Sequence, residues 1–178
     1  MSNRARRRPP LSRFLAYRNP DVITRFRDAW EVSRKDADLV FSDLMRFSWL
    51  TTRVDYHISP VPIVDEMWHT FLAFTRPYTQ WSQQMFGEFF HHTPTTENEK
   101  RAREQLGTPG LVAEIERGVA TTLAHLGEQV ALRWYVLYFD KYSDGFFREA
   151  RRSTESAFVW FPPALLQRAR DLNRGVCV

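Results

Sequence analysis

A single cysteine in 178 residues rules out an internal disulfide, so nothing in this chain is held together by covalent cross-links. Seven glycines are few, and none forms a phosphate-cradling loop, which speaks against a nucleotide-binding fold and leads us to expect no nucleotide cofactor. Cys-x-x-Cys, His-Glu-x-x-His and a nucleophile elbow are all missing, as is any internal repeat. No apolar run is long enough to span a bilayer, and the arginine-rich start lacks the hydrophobic stretch of a signal peptide. A cytoplasmic, reducing setting is therefore the expectation, with no membrane partner.

What the chain does have is aromatic mass and a badly distributed charge. Phe, Trp and Tyr make up 15% of it, which points to a core built from large rings rather than β-branched residues. The net charge of +4 is local: Arg4, Arg6, Arg7, Arg8, Arg13 and Arg18 stand in residues 1–18 without an acid, leaving 19 basic against 21 acidic side chains elsewhere. Residues 1–18 read as a basic, unordered arm able to touch nucleic-acid phosphates or an acidic protein, and residues 19–178 as a single helical domain.

Helical signals fill that domain. Asn19-Pro20-Asp21 is a start signal followed by Val22, Phe26, Ala29 and Trp30 at helical spacing up to about Ser33. A second helix runs from about Lys35 to Trp49-Leu50, with Val40, Leu44 and Phe47 inward and Asp36, Asp38 and Asp43 outward. Thr96-Glu97-Asn98-Glu99 has capping-box spacing and opens a short helix that Gly107-Thr108-Pro109-Gly110 interrupts; another helix covers about Leu111 to Leu126. Val130 to Phe139 is apolar enough for the most buried helix, and Pro163 to Leu172 suits a last one. The fold class is all-α, an irregular bundle of about six or seven helices.

The chemistry concentrates in one place. Four of the five histidines, His57, His69, His91 and His92, lie in or beside Pro60–Leu72 and Phe86–Pro94. On a helix opened by Pro62, the residues Val64, Met67, Trp68, Phe71 and Thr75 form one face. Asp65, His69 and Arg76 line up on its shoulder. A carboxylate and an imidazole four apart can ligate a metal together or work as an acid/base pair. They can equally be a helix-start acid and a histidine bonded to it, so three readings stand open. Either chemical use wants a third group, and His91-His92 offers one: Gly87 can end the preceding helix, and Pro94 forces Thr93 to be extended. Neighbours in an extended segment face opposite ways, so one of the pair joins easily, and His92 is favoured. His57, in a proline-flanked link, is a candidate fourth ligand; Tyr78 or Trp81 could wall a pocket, and Trp68 is a core residue or a substrate platform. Pro77 is expected to kink or break the helix at Arg76.

The pattern Val-Asp-x-x-Trp-His, then Tyr78, then Phe-Gly and a histidine, resembles the glycine-rich domain-containing proteins of plants and fungi. The Phe-His-His-x-Pro variant is closer to their short bacterial stand-alone relatives. The resemblance covers about residues 20 to 100 and implies a helical domain with Asp65, Trp68, His69, Tyr78, Gly87 and His92 as the matching positions. Two positions depart: Phe71 stands where plant members often carry a second histidine, and Ser82 where many carry cysteine.

Two classes of function are compatible with these residues. In the first, Asp65, His69 and one of His91 and His92 form a two-histidine, one-carboxylate site suited to Fe(II) or Zn(II), in a protein that is an enzyme of unknown substrate or a small-molecule binder. In the second, the motif is a packing node, and the arginines of the arm and tail engage nucleic acid or an acidic protein.

Overall fold

A computed structural model describes residues 9–93 and 96–150 of the chain, and every described element is helical. The described residues fall into two compact units, one ending at Phe90 and one beginning at His91.

The first unit holds five helices: α1 (Leu11–Ala16), α2 (Pro20–Trp30), α3 (Arg34–Thr51), α4 (Pro62–Leu72) and α5 (Thr75–Phe86). The Asn19 side chain caps α2 by accepting from the Val22 N–H, and Ser33 caps α3 by accepting from Asp36. The chain turns between them at Glu31, whose φ of 50° ends α2 just before Ser33. Around α3 are packed α1, α2 and α4. That surround explains a departure from the expected pattern. Asp43, expected outward, is 0% exposed and bonded to Arg46 Nη1 at 2.9 Å, because helices pack on α3 from more than one side.

Residues 9–18 do not belong to an unordered arm. Phe14 on α1 is fully buried, meeting Trp81 and Phe86 edge-on at 6.5 and 5.6 Å. Two of the six arm arginines are spent on the fold itself: Arg13 donates to the Gln84 carbonyl at 2.7 Å, and Arg18 to those of Leu15 and Tyr17. The Pro9 carbonyl accepts from Trp49 Nε1 and Arg53, with the Arg53 guanidinium lying over the Trp49 ring. Burial of Phe14 ties this segment to the fold, so the first unit takes in residues that charge alone assigns to the arm. Arg4, Arg6, Arg7 and Arg8 lie outside the described residues.

The kink or break expected at Arg76 is a break, and it falls before that residue. Pro77 removes the N–H that would bond the Ala73 carbonyl and crowds that same carbonyl, so α4 ends at Leu72 with Ala73 as its cap. α5 restarts at Thr75, with Pro77 harmless in its first turn. The break removes the helical register that put Arg76 in line with Asp65 and His69. Arg76 is an exposed residue at the start of α5.

In the second unit, α6 (Glu97–Leu126) opens with a full capping box. Thr96 Oγ1 accepts from the Glu99 N–H, and the Thr96 N–H donates to the Glu99 carboxylate at 2.7 Å. Gly107, at φ 59° and ψ −165°, breaks its course where the glycine and proline cluster predicts. The apolar run after Gly127 is helical, not a strand: α7 (Glu128–Leu132), one π-helical turn (Arg133–Leu137) and α8 (Tyr138–Lys141). Trp134, Tyr138 and Tyr142 are buried, but Leu132 is 38% and Leu137 52% exposed, so this run is not the most buried of the described helices. The Tyr135 hydroxyl lies so close to Gly118 that a Cβ there would stand 2.6 Å from it, so a larger residue would require the tyrosine ring to shift. α9 (Asp144–Ala150) carries Arg148 and closes the described part. The expected helix at Pro163 lies outside the described residues, as do the tail arginines from Arg151 onward. No helix among the described residues is long and apolar enough to cross a membrane.

Candidate metal centre

α4 is amphipathic with a sharp edge. Val64, Met67, Trp68 and Phe71 are at most 6% exposed, whereas the side chains of Asp65 and His69 are 32% and 42% exposed. The helix thus presents its Asp/His pair at the line where the core ends and water begins. His69 Nδ1 stands 3.8 Å from Asp65 Oδ2, an approach too long for a hydrogen bond.

The path from α5 to His92 is set by rings and one hydroxyl. Gly87 ends α5 in the left-handed region at φ 78°, its N–H bonded to the Gln83 carbonyl, and so turns the chain back. Phe90 is then sandwiched. Its ring stacks on Trp68 at 4.8 Å and 8°, and on Phe86 at 4.4 Å and 13°. Tyr78 fixes the backbone at the same point: its hydroxyl accepts from Trp68 Nε1 at 2.9 Å and donates to the Phe90 carbonyl. Two residues on from this clamp comes His92.

The outcome is a cluster. Asp65, His69 and His92 each offer one ligand atom, and these atoms all lie within 4.8 Å of one another. Bonds of about 2.0–2.2 Å to one ion would bring them roughly 3–3.5 Å apart, a closure of about an ångström that side-chain rotation supplies. His91, next in the chain, is exposed and not part of the group. His57 is exposed in the link before α4, its Nε2 3.4 Å from Ser59 Oγ, and is not part of the group either. Trp68 and Tyr78 are core residues, 6% and 1% exposed, that position the segment by packing and hydrogen bonding. Phe71 is fully buried against Tyr17, Phe41, Tyr78 and Trp81, facing away from the Asp65 shoulder.

One residue near the cluster gives no distinctive signal in the sequence. Glu66 is buried, 3% exposed, with Oε2 3.8 Å from His69 Nδ1. Its place beside Asp65 in a first helical turn reads as dipole compensation, and only burial reveals more.

Burial also pushes the Tyr78 phenol up, from about 10 to about 12. Between those values the folded protein keeps this proton while the unfolded chain releases it, so stability falls as pH rises from about 10 towards 12. Denaturation midpoints across that range should therefore decline for the wild type and decline less for Tyr78→Phe.

Comparison with known proteins bears on the same residues. A model of the UCP032817-like family matches residues 16–109, more than half of the 178. The chain belongs to the UCP032817-like family. The UCP032817-like region takes in α2 to α5 whole, the Phe90 clamp and all three members of the cluster, and it stops two residues beyond the Gly107 break. No curated protein and no solved structure matches the chain.

Proposed function

We propose that this UCP032817-like protein binds a single Fe(II) or Zn(II) ion through Asp65, His69 and His92. The approach of these three side chains, from a helix shoulder and from a separate segment anchored by Phe90, is the observation that carries the reading. Two imidazoles and one carboxylate suit a transition metal better than Mg or Ca, which prefer all-oxygen cages. Three protein ligands leave coordination positions to water or a small molecule, as catalytic sites do and structural zinc sites do not. His69 is exposed, so those positions are reachable. Such an ion would lower the pKa of a bound water or activate oxygen. Asp65, at the edge of the core, would supply the negative charge that offsets it. The resemblance to glycine-rich domain-containing proteins is consistent with this reading: Asp65, His69 and His92 are the ligand set, Trp68 and Tyr78 the clamp, and Gly87 the turn.

Ligand binding to the folded state alone raises stability by mass action. An ion at a hundred times its Kd is worth about 2.7 kcal/mol, or roughly 5–10 °C in melting temperature. Added Zn(II) or, anaerobically, Fe(II) is expected to produce such a shift, and Mg(II) to produce none. No shift with either transition metal would refute the reading.

A further inference from the structure

We infer that Glu66 is a positioning residue for the metal centre: its buried carboxylate holds the Nδ1–H of His69, leaving Nε2 as the atom that ligates the ion. This rests on the reading above and adds to it a role for a residue that is not a ligand.

The geometry sets up a competition for one nitrogen. Asp65 Oδ2 and Glu66 Oε2 each stand 3.8 Å from His69 Nδ1, one from the preceding turn of α4 at four residues' distance, the other at three. They are not equivalent. Asp65 is 32% exposed at its side chain and belongs to the three-residue group; Glu66 is 4% exposed at its side chain and does not. When an ion draws the Asp65 carboxylate to itself, Glu66 is the carboxylate that stays at Nδ1. An imidazole that ligates through one nitrogen carries its proton on the other, and a carboxylate at that proton fixes the tautomer, orients the ring and makes it a stronger donor. A rotation of His69 that shortens 3.8 Å to hydrogen-bond length accomplishes this, since His69 sits at the exposed end of the pair and can turn more than its buried neighbour.

The helix makes Glu66 rigid enough for the task. Ile63, one turn before it on α4, and Met67, next to it in the chain, are both at most 1% exposed, and its own carbonyl accepts from Thr70 Oγ1 at 2.9 Å. A buried carboxylate also places negative charge close to the cation, which a low-dielectric setting makes count for more than the same charge in water.

The test uses the full chain, with Zn(II) for affinity and Co(II) as its spectroscopic substitute, in wild type, Glu66→Gln and Asp65→Asn. We expect Glu66→Gln to bind one ion with the wild-type Co(II) absorption envelope but about 10–100-fold more weakly, and Asp65→Asn to change the envelope itself. Unchanged affinity in Glu66→Gln overturns the inference, and so does a changed envelope, which would make Glu66 a ligand. Wild type that takes up neither ion defeats the underlying reading instead, and the inference with it. Should Glu66→Gln not fold, nitrogen NMR of wild-type His69 decides: the Nδ1–H tautomer supports the assignment, and the Nε2–H tautomer, which free histidine favours, overturns it.

Discussion

Replacing Trp81 by alanine is expected to remove about 3–5 kcal/mol of folding stability, the largest effect of any single truncation in the first unit. Trp81 is 1% exposed and meets six other rings, those of Phe14, Tyr17, Phe71, Tyr78, Phe86 and Phe90, at centroid distances from 5.2 to 6.5 Å. These rings come from α1, α4, α5 and the segments beside them, so one cavity would loosen every element that frames the cluster. The indole Nε1 has no hydrogen-bond partner among the described residues. Trp81→Phe therefore gives up ring volume but no hydrogen bond, and should cost only roughly 1–2 kcal/mol. Urea denaturation of the two variants checks both figures. Equal losses would mean that the indole makes a bond this geometry does not contain.

His92→Ala is expected to abolish the metal-induced rise in melting temperature while leaving the stability of the metal-free protein within about 0.5 kcal/mol of wild type. His92 is half-buried in a coil segment, so truncating it opens no core cavity. Phe90→Ala makes the sharper comparison. It keeps all three ligands and removes the ring held between Trp68 and Phe86, so both stability and ion affinity should drop together. Ligand loss without a stability cost for His92, set against coupled loss for Phe90, separates a ligand from the residue that places it. If Phe90→Ala bound metal as tightly as wild type, the ring sandwich would have no part in placing His92.

Much of this is legible in the residues alone, and the rest has physical reasons for being hidden. The buried face of α4 can be read from spacing because one helix period decides it. Asn19 and Thr96 announce helix starts because a cap is local chemistry, and Gly107 announces a break for the same reason. The stop at Ala73 lies upstream of the kink or break expected at Arg76: proline acts on the carbonyl four positions before it, so the damage falls a turn ahead of the residue that causes it. Asp43 and Glu66 look like surface acids in sequence and are buried, because neither period nor charge reveals how many neighbours a helix has. Phe14 is hidden among arginines. The clamp on Phe90 is tertiary throughout, joining Trp68 in α4, Tyr78 and Phe86 in α5 and a coil residue. No pattern of spacing distinguishes such a ring from any other aromatic.

Metal content of untagged protein, purified without chelator and measured by plasma mass spectrometry, bears most directly on the central claim. The account predicts close to one transition-metal ion per chain in the wild type, and a strong reduction in His69→Ala and in His92→Ala with the helical circular dichroism intact. Wild type that carries no such ion and does not acquire one from added Zn(II) or Fe(II), or variants that retain it in full, would contradict the account.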